Sequence, residues 1–474
     1  MRSKRHVIIV GLGLAGLSAA RALSGRGLDI LLMDENSSPG GQYLRRVPRR
    51  LGVDYRRTKE HLRHLGYRLL NDFCQGGVTI SRGTQILGLE DDGRIWGLGK
   101  DGRIEEHHGE YIILATGARE RFLPFSGWTL PGVVSPGAAQ ILIKSAGVLP
   151  GRTHLIGGAG PLPLAVAGEV SAAGGQVQAF WNQTSWSDQL RVLGGGRHHL
   201  SKIVLGMKYF ARLSASRTSI RNRCKVLEAR GNGVLEQVVL AKMDDEGHAV
   251  NGSEKTYEVD CLAAGYGFVP NLELAMLAGC ELEYDPAKGG WVVKVDDSLQ
   301  SSVPPIIAAG ELTGIAGAEK SLIEGQLAGL AVVHKIDSLH QDSYQKEMAR
   351  LQQRRRREMA FGGLLNSICR APRGMLEEVP DPTIICRCED ITMGQIRQQI
   401  RNGFTSLDAI KKATNSGMGN CQGRTCGPIL HDILSAHTPM RPEKLLPLSI
   451  RSPIKPVPLS ALAEWDGKDF SQGL

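Results

Sequence analysis

Twice in this sequence a short β-branched run leads into a glycine-rich loop and a small-residue helix, and four cysteines crowd into 41 residues near the C-terminus. These features predict an α/β protein with two Rossmann-type βαβ units and a small, mainly helical C-terminal module. At about 150 residues per domain, the 474 residues allow three domains. Glycine, at 59 residues, exceeds the usual share of about 7%. With no collagen-like period, the surplus marks turns and phosphate-binding loops.

The first unit opens with Val7-Ile8-Ile9-Val10, read as a buried strand. Gly11-Leu12-Gly13-Leu14-Ala15-Gly16 follows, then a helix over 17–23 and a strand over 29–33 ending in Asp34-Glu35. Gly11 permits the tight turn, Gly13 admits a pyrophosphate to the backbone, and Gly16 lets helix and sheet pack closely. The helix N-terminus offers unpaired N–H groups to the phosphates. An acid here falls where adenosine ribose hydroxyls lie. Asp34 and Glu35 both qualify, and the register favours Asp34.

Four later segments extend the pattern: Pro39-Gly40-Gly41-Gln42; a strand over 111–114 into Ala115-Thr116-Gly117-Ala118; a strand over 260–264 into Gly265-Tyr266-Gly267; and Pro305-Ile306-Ile307-Ala308-Ala309-Gly310-Glu311 before a small-residue stretch over 317–330. This ordered set resembles the glutathione-reductase-like flavoproteins with two dinucleotide-binding domains. The resemblance implies non-covalent FAD held by Gly11, Gly13, Ala15, Gly16, Asp34, Glu35, Gly41, Gln42, Thr116, Gly117, Gly310 and Glu311. In that class an Asp follows the last glycine and binds the ribityl chain; here it is Glu311, one methylene longer.

The second unit is a strand over 153–156, Gly157-Gly158-Ala159-Gly160-Pro161-Leu162-Pro163, a helix over 164–173 and a strand over 177–181. In the resembling reductases this unit holds NAD(P)H. Here Pro163 replaces the third glycine, and Asn182-Gln183-Thr184 supplies neither an acid for a ribose nor an arginine for a 2′-phosphate. The fold is expected to persist with poor cofactor affinity. No Cys-x2-Cys occurs, so disulfide reduction is not expected.

Near the C-terminus, Cys386-Arg387-Cys388 is followed after 32 residues by Cys421-Gln422-Gly423-Arg424-Thr425-Cys426. Thr392 with Gln395 reads as a capping box for a helix over 393–401, and Thr405 with Asp408 starts a second helix ending near Gly417. Two loops spaced by a helical pair can bring Cys386, Cys388, Cys421 and Cys426 to one four-thiolate centre. Iron–sulfur and zinc both accept such ligands. Zinc knuckles usually space their cysteines by two to four residues, so Cys-x-Cys leans toward iron. The layout over 383–437 resembles the bacterioferritin-associated-ferredoxin (BFD) type of [2Fe-2S] domain, although its last spacing is wider than the Cys-x2-Cys of the stand-alone ferredoxins. Cys74, Cys224, Cys261, Cys280 and Cys369 read as packing residues.

Charge and targeting exclude other classes. The 57 basic and 48 acidic residues give +9, but the longest basic run, Arg354 to Arg357, falls in a polar stretch over 341–359 that reads as a solvated helix. Aromatics at 5% do not suit a stacking surface, so nucleic-acid binding is not expected. No apolar run reaches the roughly 18 residues of a membrane span. The start mimics a signal peptide, yet the strand and glycine loop account for the same residues. With an odd number of cysteines, nine, and four of them in metal-like use, a cytoplasmic location is expected.

Nearly the whole chain resembles the larger (α or A) subunit of heteromeric amine and amino-acid dehydrogenases: opine oxidases, dye-linked proline and hydroxyproline dehydrogenases, hydrogen cyanide synthase and, in part, the sarcosine oxidase α chain. Ala118-Arg119-Glu120-Arg121 and the segments 125–132 (FSGWTLPG), 265–271 (GYGFVPN) and 451–459 (RSPIKPVPL) carry it. The resemblance implies a flavin β subunit related to D-amino-acid oxidases that dehydrogenates the substrate. It also admits a second flavin, FMN, at an interface between subunits, and a small ferredoxin-like subunit. This chain would carry electrons onward. It implies an FAD-binding domain in two parts (1–120 and 271–340), an NAD(P)-like domain (121–270), a basic helical linker (341–379), the [2Fe-2S] domain (380–437) and a proline-rich tail (438–474). No catalytic residue is assigned. Two other readings stay open: an NAD(P)H-dependent FAD enzyme reducing its own cluster, and a non-catalytic nucleotide-binding scaffold.

Overall fold

The computed structural model describes residues 3–44, 69, 78–196, 199–216, 218–336 and 341–465; Cys74 lies outside them. Strand β1 (Ser3–Val10), helix α1 (Leu14–Leu23) and strand β2 (Ile30–Asp34) form the first βαβ unit, and β2 continues in parallel to β3 (Val78–Arg82). Val7 to Val10 are buried, as a strand covered on both faces requires. Strands β4 (Gln85–Leu89), β5 (Arg94–Leu98) and the first half of β6 (Ile104–Leu114) make an antiparallel meander, while the rest of β6 lies parallel to β1.

After β7 (Ala118–Glu120) the chain builds the second nucleotide fold from β8 (Val133–Val134), α2 (Pro136–Ile141), β9 (Thr153–Ala159), α3 (Pro161–Ala172), β10 (Gln176–Asn182), α4 (Trp186–Gly195), α5 (Leu200–Ala215) and β11 (Ser219–Asn222). A three-stranded antiparallel sheet follows: β12 (Cys224–Arg230), β13 (Gln237–Lys242) and β14 (Lys255–Glu258). Strand β15 (Cys261–Tyr266) then enters the second sheet, whose order is β11-β10-β9-β15-β8, all parallel.

The chain returns through β16 (Phe268–Pro270), which pairs antiparallel with β7, then α6 (Glu273–Leu277) and the hairpin of β17 (Leu282–Asp285) and β18 (Gly290–Val293). Strand β19 (Ile306–Ala308) completes the first sheet beside β6. Helix α7 (Ala318–Ile336) lies on α1 so closely that a Cβ on Gly325 would sit 2.0 Å from the Ala15 carbonyl oxygen.

Helix α8 (Gln341–Ile368) corrects the solvated-helix expectation. Its arginine run is mostly exposed, but Met348, Leu351 and Phe361 are buried, and the Arg355 Nε donates to buried Glu324 at 2.7 Å. The C-terminal module holds α9 (Gly374–Glu377), β20 (Ile384–Cys386), β21 (Ile391–Thr392), α10 (Met393–Arg401), α11 (Leu407–Thr414) and α12 (Cys426–His437). Its core of Met393, Ile396, Ile410, Ile429 and Ile433 is continuous with Phe125 and Trp128 of the 125–132 segment. The capping box at Thr392 forms as expected. The second cap does not: Ser406, not Thr405, caps α11, and Asp408 instead accepts the Ser449 backbone N–H at 3.0 Å. The tail also packs, with the Ile454 N–H donating to the Leu87 carbonyl at 2.8 Å.

Candidate functional site

The glycines of the first loop divide into two kinds. A Cβ on Gly11, whose φ is +109°, would lie 2.3 Å from the Ala115 carbonyl oxygen, and one on Gly16 would lie 1.9 Å from that of Gly11. These two are demanded by the protein's own packing. A Cβ on Gly13 would meet nothing within 4 Å, although Gly13 is the N-cap of α1. Open space at a helix N-terminus is an anion cradle, and it fits a pyrophosphate. Gly41 closes its other side, where a Cβ would sit 2.9 Å from the Gly13 Cα.

Around this cradle, Asp34 is buried and accepts the Leu12 N–H at 2.6 Å and the Asn36 N–H at 2.6 Å. Exposed Glu35 pairs instead with Lys455 of the tail. Gln42 lies in a turn just past Gly41. The Thr116 hydroxyl donates to the Asn271 carbonyl at 2.9 Å, and the Asn271 N–H to the Gly117 carbonyl at 3.0 Å. A Cβ on Gly310 would stand 3.0 Å from the Ala15 Cβ. Glu311 turns toward the start of α7, accepting the Gly317 N–H at 2.8 Å and the Ala316 N–H at 3.2 Å, and burial pushes its pKa up.

Beneath Gly310 lies a charged group that the sequence reading missed. Lys320, with no exposure, donates to the carbonyls of Gly310 at 2.5 Å and Gly314 at 3.0 Å and pairs with Glu324 at 2.8 Å. Glu324 also accepts the Gly310 N–H at 2.8 Å. A Lys-x3-Glu pair inside a small-residue helix was the available signal.

In the second nucleotide fold, the end of α8 lies on the glycine loop. The Cys369 Sγ is 3.8 Å from where a Cβ on Gly160 would be, and the Gln183 Nε2 donates to the Arg370 carbonyl at 3.0 Å. Cys369 therefore lies beside Gly160 of this loop, and Arg370 beside Gln183 just past β10. Cys224, Cys261 and Cys280 are buried, with their thiol pKa values pushed up by burial.

The four C-terminal cysteines converge. Cys386, at the end of β20, and Cys426, at the start of α12, are buried; Cys421 is half-buried and Cys388 exposed. Hydrogen bonding to Cys426 pulls the Cys386 thiol down to about 6 and the Cys421 thiol down to about 4, and the same bonds push Cys426 up. Backbone N–H groups of Gly417 and Gly423 add to the lowering. Cys426 bonds both Cys386 and Cys421, and Cys421 bonds Cys388. Four linked thiols fit a four-thiolate metal centre.

The two sites are joined by a polar network. The Arg119 Nε donates to the Arg424 carbonyl at 3.0 Å, and its Nη1 bonds Asn271 Oδ1 at 2.9 Å and Glu273 at 2.7 Å. Asn271 in turn donates to the Thr116 carbonyl at 2.8 Å. The Trp128 Nε1 donates to the Ile384 carbonyl at 2.6 Å. Glu120, the next residue of the same motif, accepts the Gly137 N–H at 2.9 Å at the start of α2.

Comparison with known proteins agrees with this architecture. Residues 5–328 match the pyridine nucleotide-disulphide oxidoreductase family, and residues 384–436 the BFD-like [2Fe-2S] binding domain. The chain is 32% identical to the HcnB subunit of hydrogen cyanide synthase from Pseudomonas aeruginosa, covering 96% of this chain and 97% of that one. It is 30% identical to the opine oxidase A subunit of Rhizobium meliloti, covering 96% and 98%. Its fold superposes on an L-proline dehydrogenase structure from P. horikoshii with a TM-score of 0.69 at 22% identity, covering 98% of this chain and 80% of that one.

Proposed function

The chain belongs to the pyridine nucleotide-disulphide oxidoreductase family and carries a BFD-like [2Fe-2S] binding domain, and from that premise we propose that it is the electron-transferring subunit of a heteromeric dehydrogenase oxidising an amino acid or secondary amine. The carrying observation is the network from Thr116 through Asn271 and Arg119 to Arg424, which ties the nucleotide loops to the cysteine loop. The partner is a flavin subunit of the D-amino-acid-oxidase type, which binds and dehydrogenates the substrate, with FMN at the interface and a small ferredoxin-like subunit completing the complex. The complex works in the cytoplasm.

When bound, FAD supplies two-electron acceptance and a [2Fe-2S] cluster supplies one-electron hand-off, chemistry that no side chain here provides. Gly11, Gly13, Gly16 and Gly41, with the N-terminus of α1, hold the pyrophosphate, and Ala15 seats α1 against α7. Asp34, with Glu35 beside it, faces the ribose. Gln42, Thr116, Gly117, Gly310 and Glu311 hold the flavin half. Cys386, Cys388, Cys421 and Cys426 ligate the irons. The domain division is that expected from sequence, with 121–270 acting as a scaffold rather than an NAD(P)H site.

The test is reconstitution with the product of a neighbouring amino-acid-oxidase-like gene. Amine should reduce the centre held by the four cysteines in the complex, while NADH should not reduce it in the chain alone. Rapid reduction by NADH would favour a self-sufficient reductase, and a chain with no reducible centre would favour a scaffold.

A further inference from the structure

Three segments far apart in sequence bring an imidazole and two carboxylates to one point. His199 is the N-cap residue of α5, Glu319 stands in the first turn of α7, and Glu358 lies in α8. One donor atom from each, a ring nitrogen and two carboxylate oxygens, lies within 4.8 Å of the other two. The His199 Nδ1 is 3.6 Å from the Glu358 Oε1. The cluster thus joins the second nucleotide fold to the helix that packs on α1 and to the long arginine-rich helix.

Burial sets this group apart from the carboxylates common on protein surfaces. The side chains of His199, Glu358 and Glu319 are only 8%, 13% and 28% exposed. The His199 ring does not cap its own helix and makes no hydrogen bond to another described residue. Its plane is fixed instead by stacking on buried Phe361, with centroids 4.4 Å apart and planes 24° from parallel. A buried imidazole with no hydrogen bond of this kind, turned toward a carboxylate, is placed as a metal ligand is placed. Imidazole and carboxylate are donors that zinc and related divalent ions accept. A tetrahedral zinc ion with bonds of about 2.0–2.1 Å holds its donors about 3.3 Å apart, so the His199–Glu358 separation needs little change.

Lys202, one turn along α5, answers part of the charge. Its Nζ pairs with Glu319 at 2.8 Å and with Glu358 at 2.7 Å. One ammonium balances one of the two carboxylates, and burial, with the Glu319 charge adding to it, pushes the pKa of Glu358 up. A divalent ion would balance both. Lys202 is 30% exposed and its stem is flexible, so the ammonium can swing into water, still protonated, as an ion enters. We propose that His199, Glu319 and Glu358 form a binding site for a divalent transition cation of the zinc class, and that Lys202 fills it with its own charge until the ion displaces it. The bound ion pins α5 to α7 and α8. Glu319 lies two residues from Gly317, whose N–H holds Glu311, so the pin bears on the turn beside the first nucleotide loop. The site does not depend on the electron-carrier reading.

The full chain, purified with its iron and freed of loosely held metal, should bind one zinc ion in a calorimetric titration and melt at a higher temperature when it does. His199→Phe, which keeps the stack on Phe361, and Glu319→Gln should each weaken zinc binding at least about tenfold. Lys202→Met removes the competing charge and should strengthen it about tenfold or more. Iron content should be unchanged in all three. Cobalt in place of zinc should give only the weak visible bands of nitrogen and oxygen ligation. An intense sulfur-to-cobalt charge-transfer band would put the ion on cysteines and overturn the proposal. Wild type that binds no zinc overturns it too, as does wild-type affinity in both ligand variants. Should those two variants fail to fold, Lys202→Met decides: an affinity no higher than wild type overturns the site.

Discussion

Replacing Gly13 by valine separates the fold of the first loop from its ligand. Gly13 has φ −76° and ψ −173°, an extended conformation open to any residue, and a Cβ there meets nothing within 4 Å. The empty protein should therefore tolerate valine within about 0.5 kcal/mol. The same side chain occupies the space a pyrophosphate needs, so bound nucleotide should be lost. A ligand present at about 100 times its Kd adds about 2.7 kcal/mol to apparent stability. As-purified wild type should thus melt several degrees above Gly13→Val, and after its nucleotide is stripped the two should coincide. Adding FAD back should restore the difference in wild type alone. Gly16→Val is the contrasting control: its Cβ would fall 1.9 Å from the Gly11 carbonyl oxygen, so it should cost more than about 2 kcal/mol with or without ligand. Flavin retained by Gly13→Val at the wild-type level, measured as absorbance per chain, would refute the reasoning. So would a stripped variant that melts well below stripped wild type.

Four further outcomes are expected. Serine at any one of Cys386, Cys388, Cys421 or Cys426 should remove most of the iron and leave the N-terminal site filled; one zinc per chain, no iron and no EPR signal from dithionite-reduced wild type would reverse that assignment. NADH and NADPH should reduce the chain slowly or not at all, because Pro163 replaces the third glycine, Cys369 lies beside Gly160 of the second glycine loop and no acid follows β10, and stopped-flow bleaching at about ten per second or faster, an ordinary turnover rate, would contradict this. Glu324→Leu should cost about 3–5 kcal/mol, since it leaves buried Lys320 without its counter-charge; a denaturation midpoint matching wild type would show that the pair contributes nothing. Burial holds the pKa of His154 and His437 below the usual 6.5, so the unfolded chain binds the extra protons: their contribution is complete above about pH 6.5 and is lost as pH falls through that value, and the drop in melting temperature between about pH 7.5 and about pH 5.5 should shrink in His154→Phe.

What could be read from the sequence was what local chemistry decides. The first glycine loop announces itself because turn, phosphate approach and helix packing each demand glycine within a few residues, and the Thr392–Gln395 cap is likewise local. The second cap was misplaced because Thr405 and Ser406 are equivalent by composition, and only the bond from Ser449 to Asp408 shows that Asp408 is used elsewhere. The longest misses are tertiary. Arg355 looked solvated because its partner Glu324 is 31 residues away, and the tail gave no hint of reaching Glu35 across 420 positions. Cys369 was read as packing; only the fold reveals that it packs on Gly160. Segments picked out by resemblance, 118–121 and 265–271, turn out to hold Arg119 and Asn271, which are residues of the joint between nucleotide loops and cysteine loops.

That joint explains why an electron carrier would keep such a polar seam. The cysteine loop from Cys421 to Cys426 has its backbone carbonyl at Arg424 held by Arg119, and both guanidiniums face one carboxylate, Glu273, at 2.7 and 3.9 Å. A single acid between two arginines leaves one positive charge in excess on the path, beside the two cysteines of the second loop. Excess positive charge near a centre favours its more negative, reduced form. Arg424 also donates to the Ile454 carbonyl at 2.5 Å, and Ile454 belongs to the tail whose Lys455 reaches Glu35 beside the first glycine loop. The tail therefore fastens both ends of the proposed path, and through it the position of the cysteine loop is coupled to the nucleotide loop by bonds that a simple hinge between domains would not need.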